Sequence, residues 1–239
     1  MSTHRTTLLA REEIAEGTMA FRLRKPEGFE FKPGQAIDVV LPTAAPDEQG
    51  TRHTFSIVSA PFQDHLVVAT RMRDSDYKRA LRTLPVGAPV DIDGPFGSLL
   101  LHKDLARAAI LIAGGIGITP FVSMLRQATQ DQRQQQLVLV YSNRRPEDAA
   151  FLAELQQHES ANPNFRMVAT MTNLSTSSRA WDGQTGLVTG ELVKGAVGDL
   201  PAPIFYVVGP PAMVEAMRGT LNRTGVDDDD IRSEDFYGY

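Results

Sequence analysis

Short stretches of strand character alternate with clusters of turn-forming residues over the first hundred positions. The stretches lie at 6–11, 19–24, 36–41, 53–58, 66–72 and 89–92, and the turn formers at 25–28, 32–34 and 42–50. Many short strands separated by such turns are typical of a small antiparallel barrel or sandwich. One segment, 75–84, instead spaces its apolar residues three and four apart, which predicts a single short helix.

The pattern changes after about residue 105. Apolar runs at 108–113, 137–141, 166–171 and 204–208 are separated by segments of helical character at 120–129, 146–159, 190–197 and 212–224. Strands that are apolar on both faces and alternate with helices predict a doubly wound parallel α/β sheet. The sequence therefore predicts two domains, an antiparallel β-barrel at 1–104 and an α/β domain at 105–239.

Composition and charge narrow the classes of function. The 239 residues carry a formal net charge of −5, which provides no basic surplus for nucleic acid or for an anionic membrane. The chain has no cysteine, so any redox chemistry requires an organic cofactor rather than a thiolate-bound cluster. The histidines show no metal-binding spacing, and no metal site is expected. Because no apolar run approaches the ~20 residues that span a bilayer and residues 1–11 lack a signal-peptide pattern, we expect a cytoplasmic protein.

A glycine-rich turn follows the strand predicted at 108–113. It reads Gly114-Gly115-Ile116-Gly117-Ile118-Thr119-Pro120 and leads into a predicted helix, with Thr119 as the N-cap and Pro120 as the first helical residue. Backbone N–H groups at a helix start bind anions, and absent side chains let a pyrophosphate approach closely. Tight packing is the alternative explanation of the same glycines, and the turn departs from the G-x-G-x-x-G pattern.

Three further segments accompany this turn, namely Thr51 to Pro61, Gly94-Pro95-Phe96-Gly97 and Val207 to Met213. In their order and spacing, the four segments resemble the ferredoxin–NADP reductase family over nearly the whole chain. The resemblance implies an N-terminal flavin barrel, usually for FAD, with FMN less favoured, and a C-terminal domain for NADPH or NADH. It also implies that the two cofactor rings stack between the domains and that hydride passes from nicotinamide C4 to flavin N5.

The resemblance further implies which residues bind the flavin. The family's Arg-x-Tyr-Ser motif falls on His53, Thr54, Phe55 and Ser56, which implies Phe55 against the isoalloxazine ring and the Ser56 hydroxyl near N5. The alternative for Phe55 and Ser56 is a buried strand aromatic beside an alcohol that bonds to the backbone. Because His53 occupies the arginine position, we expect Arg52 and His53 to share the flavin pyrophosphate. Additional flavin contacts are expected from Ala69, Thr70, Arg71, Met72, Lys78, Arg79 and Ala80. Solvated helix charges are the alternative for Lys78 and Arg79.

The nicotinamide nucleotide is expected at the glycine turn and at a second segment, which together comprise Gly114, Gly115, Gly117, Ile118, Thr119, Pro120, Gly209, Pro210, Pro211 and Met213. Val208 occupies the position of the family's usual cysteine. After the second strand of the α/β domain, Ser142, Arg144 and Arg145 are expected at the adenosine ribose. The arginines favour NADPH and Glu147 and Asp148 favour NADH, so the preference for NADPH is slight.

The segment Glu234 to Tyr239 resembles family tails that return to the flavin. The resemblance implies that Glu234 relays a proton and that Phe236, or a tyrosine after it, covers the flavin. An unordered polar terminus is the alternative.

These inferences predict a stand-alone NAD(P)H-dependent flavoprotein reductase that passes electrons to a separate acceptor, such as a ferredoxin, a flavodoxin or an oxygenase component. A second hypothesis is direct reduction of free flavin, a quinone or a ferric chelate. A third is a flavin-bearing subunit of a larger electron-transfer assembly. Partner choice depends on surface shape, which the sequence does not specify.

Overall fold

The computed structural model describes residues 2–41 and 51–237. These residues form two compact units, the first from 1–100 with 119–127 and the second from 101–118 with 128–239. The domain boundary expected at 104/105 stays a prediction, and the turn expected at 42–50 lies outside the described residues.

The first unit is built on a six-stranded antiparallel sheet in the order β4-β3-β6-β1-β2-β5. Its strands are β1 (Ser2–Ala15), β2 (Thr18–Arg24), β3 (Ala36–Val40), β4 (Arg52–Ser56), β5 (His65–Arg71) and β6 (Pro89–Phe96). The two edge strands meet just beyond β4, where the Val58 N–H donates to the Val67 carbonyl at 2.8 Å. The sheet therefore curves toward closure, as a small barrel requires.

A single helix, α1 (Asp76–Thr83), follows β5, as the apolar spacing predicts. Ser75 caps it by accepting a hydrogen bond from the Lys78 N–H, which satisfies one of the first-turn donors. Tyr77 and Leu81 are buried in the barrel core, and the Tyr77 hydroxyl donates to the Val39 carbonyl at 2.9 Å. The helix thus packs against the core side of the sheet.

The second unit contains a six-stranded sheet, parallel at every pairing, in the order β10-β9-β8-β7-β11-β12. The strands are β7 (Ala109–Gly114), β8 (Leu137–Asn143), β9 (Phe165–Met171), β10 (Gln184–Thr185), β11 (Ile204–Gly209) and β12 (Ile231–Asp235). The helices are α2 (Thr119–Gln130), α3 (Leu152–Ala161), α4 (Gly190–Val197) and α5 (Pro211–Arg223), with the first nine residues of α2 belonging to the first unit. Helices α4 and α5 bury their apolar positions against β7, β8 and β11. The predicted fold class, an antiparallel sheet followed by a doubly wound parallel α/β sheet, is confirmed.

Two local predictions were wrong. The helix expected over 146–159 is interrupted, because Phe151 adopts a left-handed conformation with φ 61° and α3 begins only at Leu152. Thr119 is not an N-cap, because a 3-10 turn at Gly115–Ile118 precedes α2 and Thr119 already lies within the helical run. Helical geometry therefore begins inside the glycine turn.

Candidate functional site

The parallel sheet has one point where the strand order reverses, between β7 and β11. From β7 the chain continues outward to β8, and from β11 it continues outward to β12 on the other side. The carboxyl ends at this point are Gly114 and Gly209. In open parallel sheets, ligands bind outside the carboxyl ends of the strands at such a switch point. The structure thus brings together the two segments that the sequence assigns to the nicotinamide nucleotide.

Packing accounts for two of the three glycines in the first turn. A Cβ on Gly117 would lie 2.5 Å from the carbonyl oxygen of Val208, and one on Gly114 would lie 2.2 Å from Sδ of Met213. By contrast, a Cβ on Gly115 would meet nothing within 4 Å, and this residue has φ +54°. Gly114 and Gly117 therefore let the turn and α5 approach the strand ends, whereas Gly115 leaves open space beside the first N–H groups of the helical run.

The end of β8 carries the residues expected at the adenosine ribose. Arg145 donates to both carboxylate oxygens of the buried Asp148, each at 2.9 Å. Arg144 is exposed, and its guanidinium has no hydrogen-bond or ion-pair partner among residues 2–41 and 51–237. Ser142 lies half-buried opposite Gly114 in the parallel register. Within the described part of the chain, Arg144 is thus the one of the two predicted arginines whose guanidinium has no partner.

Glu147, the second carboxylate expected near the ribose, points into the protein. It accepts hydrogen bonds from the Ser177 and Ser178 hydroxyls at 2.9 Å each and from the Ser178 N–H at 2.5 Å. Burial opposes ionisation, but these hydrogen bonds and one from its own backbone outweigh it and lower the pKa of Glu147 to about 2. The carboxylates of Glu147 and Asp148 thus both make hydrogen bonds to other residues of the protein.

Glu234 and Phe236 lie on and just after β12, which continues the parallel sheet. Glu234 is in register with Val208, and the Phe236 N–H donates to the Gly209 carbonyl at 2.9 Å. Burial raises the pKa of Glu234 above its usual range. Residues 231–236 are therefore ordered beside the end of β11, and the expectation of an unordered polar terminus does not hold for them.

The predicted flavin motif lies on β4, whose side chains alternate between two faces. His53 and Phe55 share the core face, where the His53 ring stacks on Tyr77 with centroids 3.8 Å apart. Phe55 is only 8% exposed and belongs to the barrel core. Ser56 is buried, and its hydroxyl makes no hydrogen bond within the described part of the chain. The Ser56 hydroxyl can therefore donate a hydrogen bond to a bound ligand.

Arg52 lies on the opposite face of β4 and is held by two carboxylates. It pairs with Asp38 at 3.1 Å and with Asp93, and these contacts raise its pKa further. Thr54 on the same face donates to Asp38. The charge of Arg52 is therefore paired with carboxylates of the protein itself. His53, in contrast, stacks on Tyr77 of α1.

The remaining predicted flavin contacts lie on β5 and at the start of α1. Ala69 and Thr70 are buried, and the Met72 N–H donates to the Gly17 carbonyl at 2.7 Å. The ammonium of Lys78 donates to the Arg71 carbonyl at 2.8 Å, whereas Arg79 is exposed and pairs with Asp74 and Asp76. Ala80 packs against the barrel core. Lys78 and Arg79, the two cationic residues at the start of α1, thus both have partners within the first unit.

Two features of the second unit have no counterpart in the sequence-based predictions. His102 is 7% exposed, and its Nδ1 lies 3.0 Å from the hydroxyl oxygen of Tyr206, with Gln135 packed at its other ring nitrogen. Burial lowers the pKa of His102 and raises that of Tyr206.

Asn143 is 6% exposed, and its buried Nδ2 has no partner among the described residues. Only its position directly after Ser142 could have drawn attention to Asn143.

Other site types receive no support. No helix among the described residues has the length and apolarity needed to cross a membrane. Likewise, residues 2–41 and 51–237 contain no group of three or more acidic or histidine side chains placed to hold a metal ion.

Comparison with known proteins agrees with this geometry. Residues 111–219 match the family model described as an oxidoreductase NAD-binding domain. The chain is 27% identical over 222 residues to the glycine betaine monooxygenase reductase subunit of Chromohalobacter salexigens, covering 92% of this chain and 60% of that protein. It is also 27% identical over 219 residues to the terephthalate 1,2-dioxygenase reductase component 2 of a Comamonas species, covering 90% and 62%. The chain thus spans about three fifths of the length of these curated relatives.

Among solved structures, a ferredoxin NADP+ reductase from Neisseria gonorrhoeae with bound FAD and NADP superposes with a TM-score of 0.81 at 22% identity, covering 98% of both chains. Residues 111–219, which lie in the parallel α/β sheet and its helices, thus match an oxidoreductase NAD-binding domain. The whole chain shares its fold with that ferredoxin NADP+ reductase. The resemblance found in the sequence is confirmed.

Proposed function

We propose that this protein is an NAD(P)H-dependent reductase that holds FAD on its first unit and passes electrons to a separate acceptor. The observation that carries the proposal is the switch point of the parallel sheet, where Gly115 leaves open space beside the start of a helical run. A dinucleotide pyrophosphate fits this place, because helix-start N–H groups bind anions and a side chain at Gly115 is absent.

The chain's own residues have distinct tasks in this proposal. Backbone N–H groups of the turn from Gly115 orient the dinucleotide, and the Ser56 hydroxyl donates a hydrogen bond to the flavin. When bound, the two cofactors supply the chemistry, with hydride leaving the nicotinamide and electrons leaving the flavin. Glu234, whose pKa is raised by burial, holds a proton near neutral pH more readily than an exposed carboxyl does.

For the acceptor, we propose a separate redox protein of the ferredoxin, flavodoxin or oxygenase-component kind. Two relatives are named as reductase parts of a monooxygenase and of a dioxygenase, which supports this choice. The chain contains no cysteine, so a thiolate-ligated iron–sulfur cluster would have to lie outside these 239 residues.

The test is an anaerobic titration of the FAD-loaded protein with NADPH and with NADH, followed by the flavin absorbance. We expect bleaching of the flavin by at least one donor, and then re-oxidation by a ferredoxin or oxygenase component faster than by free flavin or a quinone. Yellow protein that neither donor bleaches would refute the reductase proposal. Faster re-oxidation by free flavin would refute the choice of acceptor alone.

A further inference from the structure

Strand β12 lies at the edge of the parallel sheet and has little apolar surface to hold it there. Of its five residues, all of which the structure describes, Ile231 alone is buried and packs into the core that α4 and α5 cover. The other four are Arg232, Ser233, Glu234 and Asp235. Because burial contributes little to such a strand, its place beside β11 depends on polar contacts as well.

An acidic run at 227–230 directly precedes this strand and supplies two of those contacts. The guanidinium of Arg107, two residues before β7, pairs with Asp230 at 2.7 Å. From α5, Arg218 pairs with Asp228 at 2.9 Å. Two of the four carboxylates are therefore paired with arginines of the second unit.

Arg218 also binds the strand itself. Its Nη1 donates to the Ser233 hydroxyl oxygen at 3.1 Å, while its Nη2 donates to Oδ1 of Asp228 at 2.9 Å. One guanidinium thus joins α5 both to the turn before β12 and to the middle of β12. The rigid, planar fork of arginine suits this task, because it holds two acceptors at a fixed separation.

Glu234 directly follows Ser233, so its side chain points to the opposite face of the sheet. Its register partner is Val208, one residue before the end of β11. Two residues later, the Phe236 N–H donates to the Gly209 carbonyl at 2.9 Å. The position of the Glu234 carboxyl therefore depends on how closely β12 is held to β11.

The charged and titratable groups that β11 and β12 place on that face, besides Glu234, are Tyr206 and Arg232. The Arg232 guanidinium lies 5.3 Å from the centre of the Tyr206 ring, and the Tyr206 hydroxyl lies 3.0 Å from Nδ1 of His102. Burial, rather than a neighbouring charge, raises the pKa of Glu234. A displacement of β12 that lets water reach this carboxyl should therefore lower its pKa toward the ordinary value.

We propose that Arg218 is a positioning residue that clamps β12 to α5 through Asp228 and Ser233 and thereby fixes Glu234 beside Val208. Arg218 acts through the strand and not through its charge, because it binds the Ser233 face of β12 and Glu234 points to the other face. The inference rests on the proposed function only in taking Glu234 as the residue that holds a proton for the reductase.

Two measurements on the FAD-loaded protein test the clamp without turnover. Hydrogen exchange of the Phe236 N–H reports the pairing of β12 with β11. Carbon-13 NMR titration of the glutamate carboxyls reports the pKa of Glu234, whose signal is the one absent from Glu234→Gln. Arg218→Ala should speed the exchange about fivefold, the order expected for a partly exposed charged pair, and should lower the pKa of Glu234.

Three further variants separate position from charge. Ser233→Ala removes the strand contact without changing any charge, so it should shift the exchange rate and the pKa in the same directions as Arg218→Ala. Arg218→Lys keeps the cation but not the fork, so it should restore both quantities only in part. Arg223→Ala is the control, because this exposed arginine of α5 donates to Thr220 of its own helix, and it should change neither quantity.

The direction of the pKa change decides between the two roles of Arg218. Loss of a cation that acted by charge would raise the pKa of Glu234, and that result, or full rescue by lysine, would overturn the positioning role. Unchanged exchange in both Arg218→Ala and Ser233→Ala would refute the clamp. If Glu234→Gln leaves the pH profile of turnover unaltered, the proton-holding role in the proposed function fails, whereas the exchange of the Phe236 N–H still decides the clamp.

Discussion

Replacing Gly117 with alanine tests the close approach of the glycine turn to β11. The new Cβ would lie 2.5 Å from the Val208 carbonyl oxygen, 2.7 Å from its carbon and 2.9 Å from the Gly209 Cα. All three contacts are with backbone atoms at the end of a central strand, so no side-chain rotation relieves them. Overpacking of this kind costs about 1–3 kcal/mol. The turn must therefore move off the strand end, and with it the N–H groups proposed to hold the dinucleotide.

A loss of that size corresponds to a change of about 5- to 150-fold in affinity if all of it falls on binding. Part will fall on stability, so we expect the NAD(P)H KM to rise roughly tenfold and the melting temperature to drop by about 4 °C. Steady-state kinetics, thermal melting and flavin content per chain measure the three quantities. Gly195→Ala is the matched control, because its Cβ also meets nothing within 4 Å and the residue lies within α4, outside the proposed nucleotide site. Equal loss of flavin in Gly117→Ala, or an unchanged KM, would contradict the assignment of the turn.

Three further changes have defined outcomes. Ser56→Ala should weaken FAD retention about fivefold, since one hydrogen bond of ~1 kcal/mol is lost, and equilibrium dialysis of the flavin would detect it; unchanged retention would argue against the flavin contact. Glu234→Gln should remove a limb of the turnover pH profile that lies above the ordinary glutamate pKa, because burial raises the pKa of Glu234. For His102, burial lowers the folded-state pKa below 6.5, so the unfolded chain binds more protons as the pH falls below that value. Melting temperature should therefore fall from pH 7 to pH 5, and His102→Gln should flatten the dependence.

Periodicity predicted the major elements because their local pattern and their tertiary environment agree. The run at 108–113 is apolar at every position, and β7 occupies Ala109–Gly114, buried on both faces. The helix predicted at 75–84 carries its own capping serine, and α1 begins directly after it. Such elements depend on neighbouring residues, so one sequence is enough to find them.

The differences from prediction come from non-local contacts. Strand β12 contains Arg232, Ser233, Glu234 and Asp235, a polar composition that predicts a tail, yet pairing with β11 makes it an edge strand. The carboxylate of Glu147 finds its partners at Ser177 and Ser178, which no local pattern connects with it.

The candidate site likewise combines features that the local sequence predicts with features that only the folded structure shows. The sequence located the two glycine segments, but only the fold shows that packing explains Gly114 and Gly117. In the flavin motif, residue types alone could not reveal that Asp38 and Asp93 bind Arg52. Charge pairing across strands is decided by register, which depends on the whole sheet.

The first unit is assembled from two separate stretches of chain. The Ser123 hydroxyl donates to the Ser59 carbonyl at 2.7 Å, and Arg126 donates to the Val58 carbonyl at 3.1 Å, both within that unit. A growing chain of about one hundred residues would therefore leave these acceptors without their donors. During translation the first unit can be completed only after residue 127 has left the ribosome, by which time the first strand of the other unit has already been made. Fragments expressed separately would meet the same obstacle.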